Sequence, residues 1–183
     1  MKYFAVPLTI AAGFIAVLAL AGCSHTPKNL VKNGSFEDGA DPGAFATLSP
    51  GSNSITGWTI TRKTVDYIGT YFPCADGKRC IDMDGTPGFG GLSQTFATTP
   101  GTTYVVQFEL GANTDGPPDV KKLGVAAAGQ KAEFDHPSNH DWTPKKWQFT
   151  AKGTQTTLEF YSLDTEGGIC GPMLDNVSVV RAS

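Results

Sequence analysis

From Asn29 onward, hydrophobic residues recur at alternate positions in short runs, and turn-forming residues separate those runs. Over residues 103–110, Tyr104, Val106, Phe108 and Leu110 fall on one face while Val105, Gln107 and Glu109 fall on the other. This is the period of a half-buried strand. Trp147, Phe149 and Ala151 repeat it, as do Leu158 and Phe160 against Glu159 and Tyr161. Further strand-sized runs occupy residues 57–60, 65–68, 80–83, 92–96, 123–126 and 174–180. Pro100-Gly101 and Lys152-Gly153 read as tight connections, and 34–54 and 111–119 as longer loops. Strands broken by turns, with no helical periodicity after the leader, predict an all-β sandwich or barrel and exclude a parallel α/β sheet.

The first residues follow another rule. Lys2 supplies positive charge, residues 3–19 form an apolar stretch, and Leu20-Ala21-Gly22-Cys23 is a bacterial lipobox. The segment predicts a cleaved lipoprotein signal peptide over 1–22, lipid on Cys23 and a tether over 23–28. A plain transmembrane helix is the competing reading, and the polar Ser24 to Lys28 after the cysteine argues against it. The tether holds a domain over 29–183 within about 18 Å of the lipid surface. In a host with two membranes, Ser24 after the lipidated cysteine favours the outer membrane.

Cleavage leaves about 160 residues, enough for one domain with a core of its own. The chain holds 14 Lys and Arg against 17 Asp and Glu, and Lys2 departs with the leader. An acidic balance of this kind argues against nucleic acid. With Cys23 reserved for lipid, Cys74, Cys80 and Cys170 remain in an oxidising setting where one must stay unpaired. A short-loop disulfide between Cys74 and Cys80 is expected, although three pairings exist; no second Cys-x-x-Cys or close histidine supports zinc.

Catalytic frames are missing: there is no Gly-x-Ser-x-Gly, His-Glu-x-x-His or P-loop. His136 and His140 have ligand-like spacing only on a helix, and Pro137 places them in a loop. Sugar recognition needs flat aromatic surfaces with amides and carboxylates beside them. Tyr71, Phe72, Phe89 and Trp142 are loop aromatics, Asn139 and Asp141 are polar partners, and Tyr161 is an outward-facing ring on a strand. Any one of these aromatics could instead fold back over the sandwich, whereas Trp58 and Trp147 read as core. A glycosidase would need two flanking carboxyl groups, with Glu109 the first acid to test.

Three segments in order carry a resemblance: Asn-Leu-Val-Lys-Asn-Gly-Ser-Phe-Glu at 29–37, Ile-Asp-Met-Asp-Gly-Thr-Pro-Gly at 81–88 with Gly-Leu-Ser-Gln-Thr-Phe at 91–96, and Cys-Gly-Pro-Met-Leu-Asp-Asn-Val-Ser-Val at 170–179. Together they resemble the choice-of-anchor C family, bacterial relatives of the plant cell-wall domain of unknown function 642 family, over about Asn29 to Val180. The resemblance implies a galactose-binding-like jelly roll with adjacent opening and closing strands. It also implies a non-catalytic, carbohydrate-binding-module-like role toward polysaccharide or another glycan at the cell envelope; plant relatives are associated with cellulose and pectin. A small glycan-active enzyme and an adhesive lipoprotein with a protein partner are the alternatives.

Similar sandwiches place a structural calcium between the first and last strands. Here Glu37 and Asp175, with the Ser35 carbonyl, would be its ligands. The alternative is that Glu37 caps a turn and Asp175 accepts backbone amides. Asp82 and Asp84 share a face and form a weaker metal candidate.

Overall fold

In a computed structural model, residues 1–2, 28–86 and 88–183 are described. The apolar leader segment, the lipobox with Cys23, and residues 24–27 of the tether lie outside them. The described residues contain eleven strands and no helix: β1 (Phe45–Leu48), β2 (Thr59–Arg62), β3 (Val65–Ile68), β4 (Cys80–Asp82), β5 (Gly91–Ala97), β6 (Thr103–Ala112), β7 (Val120–Ala127), β8 (Gln130–Pro137), β9 (Thr143–Thr150), β10 (Gln155–Ser162) and β11 (Pro172–Arg181). One sheet has the order β1-β3-β4-β11-β6-β9, the other β2-β5-β10-β7-β8. Every strand pairing is antiparallel.

The alternation read from the sequence becomes the inner faces of this sandwich. Tyr104, Val106, Phe108 and Leu110 are all buried, and Phe108 of β6 meets Phe160 of β10 edge-to-face at 5.1 Å, joining the sheets at mid-core. Strand β8, unmarked in the sequence, lies at a sheet edge; its Phe134 reaches Phe108 at 5.3 Å while its outward residues stay exposed.

The two ends of the domain do lie together, but residues 29–37 are bends and turns rather than the expected strand. Two backbone bonds hold them to β11: Leu30 donates to Val179 at 2.8 Å and Val177 to Gly34 at 2.8 Å. Regular pairing fails because β11 carries a bulge between Asp175 and Ser178, and Asn33 and Phe36 adopt φ of 52° and 58°. Gly34 is required there, since a Cβ would lie 1.9 Å from the Val177 carbonyl oxygen. The turn drives Phe36 into the core, where it meets Trp58 at 5.2 Å, and Tyr67 donates its hydroxyl to the Phe36 carbonyl at 2.6 Å. Cys74 and Cys80 form the expected disulfide, and Cys170 is free and buried.

The strands run between two poles. One gathers residues 28–30 and the turns 97–103, 127–131 and 150–155, linked by bonds such as Gly101 to the Ala151 carbonyl and Ala182 to that of Thr103. The other gathers the loops around 82–90, 112–120, 137–143 and 162–172.

Candidate functional site

Register places Phe45 opposite Ile68, Asp66 opposite Asp82, Asp82 opposite Met173 and Met173 opposite Gly111. All point away from the core, on the outer face of the six-stranded sheet. The loop over 69–79, closed by its disulfide, folds across this face. Phe72, Cys74 and Trp142 pack there against Ile68, Cys80 and Met173. Gly111 lets Trp142 lie flat, because a Cβ would approach its ring to 2.9 Å, and Trp142 Nε1 donates to the Pro73 carbonyl at 3.3 Å.

Beside this roof a cavity of about 250 Å³ stays open, lined by Phe45, Asp66, Tyr71, Asn113, Asp115 and Ile169 among others. Its apolar lip is exposed: Phe45, Tyr71 and Ile169 keep 46%, 50% and 52% of their surface. Tyr71 meets Phe45 edge-to-face at 5.3 Å and Phe72 at 4.9 Å, so its ring stands upright at the opening. Its hydroxyl donates to Asp115 Oδ2 at 2.8 Å, which raises the phenol's pKa.

The floor is polar. Asp66 is buried, which raises its pKa, and the Thr47 hydroxyl donating to Oδ1 at 2.5 Å opposes that rise. Behind the floor and out of reach of the cavity, Asp82 is fully buried and pushed up to about 7 by loss of solvent, despite Asn113 donating to Oδ2 at 2.6 Å and the Asp84 and Gly171 amides donating to Oδ1 at 2.9 Å each. Asn113 Oδ1 in turn accepts the Asp115 amide at 3.0 Å. Hydroxyl donors of a ligand would meet carboxylate and amide oxygens here, and its apolar faces the Tyr71 and Phe45 rings.

A second hollow of about 500 Å³ adjoins the first, sharing Thr86 and Ile169 and lined also by Phe89, Lys63 and Glu166. Phe89 is half-buried at φ 57°, its ring 3.8 Å from where a Gly168 Cβ would stand.

Of the residues singled out in the sequence, Tyr71 and Phe89 therefore border the joined cavities, while Phe72 and Trp142 fold back over the sheet. Asn139 and Asp141 do not join them: Asn139 Oδ1 accepts the Asp141 amide at 3.0 Å in a local turn. Tyr161 requires a correction. It faces outward on the other sheet, as alternation demands, yet is only 5% exposed. Arg62 covers its ring at 3.8 Å while bonding Glu159, and Gly124 leaves room beneath, where a Cβ would approach the ring to 2.3 Å. His136 also departs from expectation, ending β8 buried instead of lying in a loop; its Nδ1 donates to the Pro137 carbonyl at 2.7 Å, and His140 stays exposed. Glu109 lies opposite Asp175 on the outer face, outside the cavity.

Glu37 and Asp175 do converge, but on one loop. Glu37 Oε1 accepts the Lys78 and Arg79 amides at 2.7 Å each. Asp175 accepts the Asp76 amide at 2.8 Å and the Asn176 amide at 2.6 Å, and burial pushes it up to about 7. Glu37 Oε1 and both Asp175 oxygens are directed at amide hydrogens and are poorly disposed toward a cation, which argues against calcium between the two. Among the described residues, no three His, Cys, Asp or Glu side chains group to hold a metal. Of the second pair, the Asp82 oxygens are engaged by Asn113 and amides, whereas both Asp84 oxygens are buried without a hydrogen-bond partner.

Phe45, Asp66, Asn113, Asp115 and Ile169 escaped the sequence reading. A usable signal existed for one of them: Asp66 is an acid inside an otherwise apolar strand-sized run.

A family described as "Protein of unknown function (DUF642)" matches residues 29–180. Over 187 residues the chain is 31% identical to Halomucin of Haloquadratum walsbyi, covering 98% of this chain and 2% of that protein. It is 27% identical over 186 residues to an Arabidopsis thaliana protein named DUF642 L-GALACTONO-1,4-LACTONE-RESPONSIVE GENE 1, covering 91% and 50%. The chain thus spans about half of that plant relative and a small part of Halomucin. Among solved structures, the CBM22-1 xylan-binding domain of Paenibacillus barcinonensis Xyn10C superposes with a TM-score of 0.57 at 16% identity, covering 85% of this chain and 95% of that one. At that identity the shared property is the jelly-roll fold.

Proposed function

The chain belongs to the DUF642 family, and from that premise we propose that it is a non-catalytic module that binds polysaccharide in the cleft beneath Tyr71, displayed at the cell envelope by lipid on Cys23. The observation that carries this reading is the pairing of exposed Tyr71 and Phe45 with the buried acceptors Asp66 and Asn113 in one open cavity. The carbohydrate-binding-module fold supports it, as does a structural neighbour named for xylan binding.

Binding is favoured over hydrolysis by what the cleft carboxylates already do. Asp66 is engaged by Thr47 and Asp115 by Tyr71. These bonds hold both acids as acceptors, an orientation that suits sugar hydroxyls. The lipobox supports the anchor.

The test is native electrophoresis through gels containing soluble xylan, pectic galactan or a cellulose derivative, with reducing-sugar release followed on the same polymers. Retardation on at least one polymer without sugar release is expected. Free migration in every gel would overturn binding, and sugar release would replace the module with an enzyme.

A further inference from the structure

We propose that the pole where the chain departs toward Cys23 is a docking surface for the anionic headgroups of the membrane that bears the lipid. The inference rests on the anchor reading above and adds an orientation to it.

The charges are divided between the poles. Residues 28–30, 97–103, 127–131, 150–155 and 181–183 contain Lys28, Lys131, Lys152 and Arg181, and neither Asp nor Glu. All four cations are exposed. Among the described residues the one salt bridge joins Arg62 to Glu159, so none of the four is salt-bridged there, and only Lys131 lies within electrostatic reach of that glutamate. The opposite loops, 82–90, 112–120, 137–143 and 162–172, carry seven acids, of which Asp82, Asp84 and Asp164 are buried, against Lys63 beside the hollow there and the buried Lys121, which donates to the Gly116 and Cys170 carbonyls. A protein whose overall charge is −3 thus keeps its tether end cationic.

The surface has relief as well as charge. A hollow of about 330 Å³ is lined by Lys28 and Arg181 together with Leu30 and Tyr104. A neighbouring one of about 460 Å³ shares Lys28 and Leu30 and adds Lys32 and Gln94. Neither is lined by an acid. Two cations flanking an apolar floor suit a phosphate with its glycerol linkage, and Lys28 stands only five positions after Cys23. Anionic leaflets attract such clusters within a screening length of about 8 Å. The ten-residue β6, at about 3.3 Å per residue, sets the acidic cleft pole roughly 30 Å farther out. Attraction at the tether end turns the cleft toward the surroundings, and at roughly 30 Å the far pole lies beyond the screening length.

The full chain, made in a bacterial host with its own leader and extracted from membranes, is reconstituted into vesicles of phosphatidylcholine alone or with a third phosphatidylglycerol. A water-soluble amine-acylating reagent reports each lysine by peptide mass, and the mass of the Cys23 peptide reports the lipid. Lys28, Lys131 and Lys152 are expected to react several-fold more slowly on the anionic vesicles, with exposed Lys63 and Lys122 unchanged. High salt should remove the difference. The double variant Lys131→Glu, Lys152→Glu, confined to exposed turns, should lose the protection of Lys28. Equal reaction rates on both vesicle types, with lipid present on Cys23, would overturn the docking surface and leave the anchor standing. A Cys23 peptide without lipid would overturn the anchor, and the docking surface with it.

Discussion

Tyr71 donates its hydroxyl to Asp115 at 2.8 Å, tying the loop after β3 to the loop after β6 across the mouth of the cleft. The bond holds a half-exposed ring upright before any ligand arrives, and this preorganisation lowers the entropy cost of binding. Asp115→Ala is therefore expected to weaken polysaccharide binding several-fold while leaving the melting temperature nearly unchanged, since both side chains are exposed. Calorimetric titration together with a thermal melt checks both halves.

Stability should fall as pH rises through neutrality. Asp82 and Asp175 are pushed up to about 7 and Asp164 to about 6, each chiefly by burial. The folded chain therefore holds protons that the unfolded chain, titrating near pH 3.9, has released. The resulting stabilisation is complete below about pH 4 and is lost as pH rises through 6 to 7. A lower melting temperature at pH 8 than at pH 5 is expected, and Asp175→Asn should flatten the profile. A rise over that interval would contradict the assignment.

Gly34→Ala should cost about 3 kcal/mol or more. Its Cβ would meet the Val177 carbonyl 1.9 Å away, on the bulged part of β11 where neither backbone can yield freely. Chemical denaturation measures the loss. An effect below about 1 kcal/mol, the ordinary price of a point mutation, would mean that residues 29–37 are not docked as described.

Calcium supplies another check. With Glu37 Oε1 and both Asp175 oxygens engaged by the amides of residues 76, 78, 79 and 176, neither calcium nor a chelator should move the melting temperature. A rise of several degrees with calcium would mean that these carboxylates turn to an ion, as the family resemblance implies.

Where burial follows a period of two, the strands are legible: the sequence runs at 92–96 and 103–110 coincide with β5 and β6 to within a few residues, and the apolar run at 65–68 coincides with β3, which is buried on both faces. Strand β1 was hidden because Phe45–Leu48 is four residues long within a Gly- and Pro-rich stretch, and its pairing with β3 is remote in sequence. Strand β8 was hidden because an edge strand exposes its charged residues and buries few. The cleft was legible in part. Tyr71 stood out as a loop aromatic, but the cavity is assembled from residues spread over 45–170, and no local pattern connects them. Alternation gave the direction of Tyr161 correctly and could not reveal that Arg62, two strands away across β5, would cover it.

The most direct test is the dissociation constant of the full chain for the polysaccharide it retains in gels, compared with those of Tyr71→Ala and, as a control on the opposite sheet, Tyr161→Phe. Removing the exposed ring at the cleft should weaken binding about tenfold, near 1.4 kcal/mol, with Tyr161→Phe unchanged. Equal affinity in the chain and in Tyr71→Ala, with Tyr161→Phe weakened instead, would place the ligand on the five-stranded sheet and contradict the account.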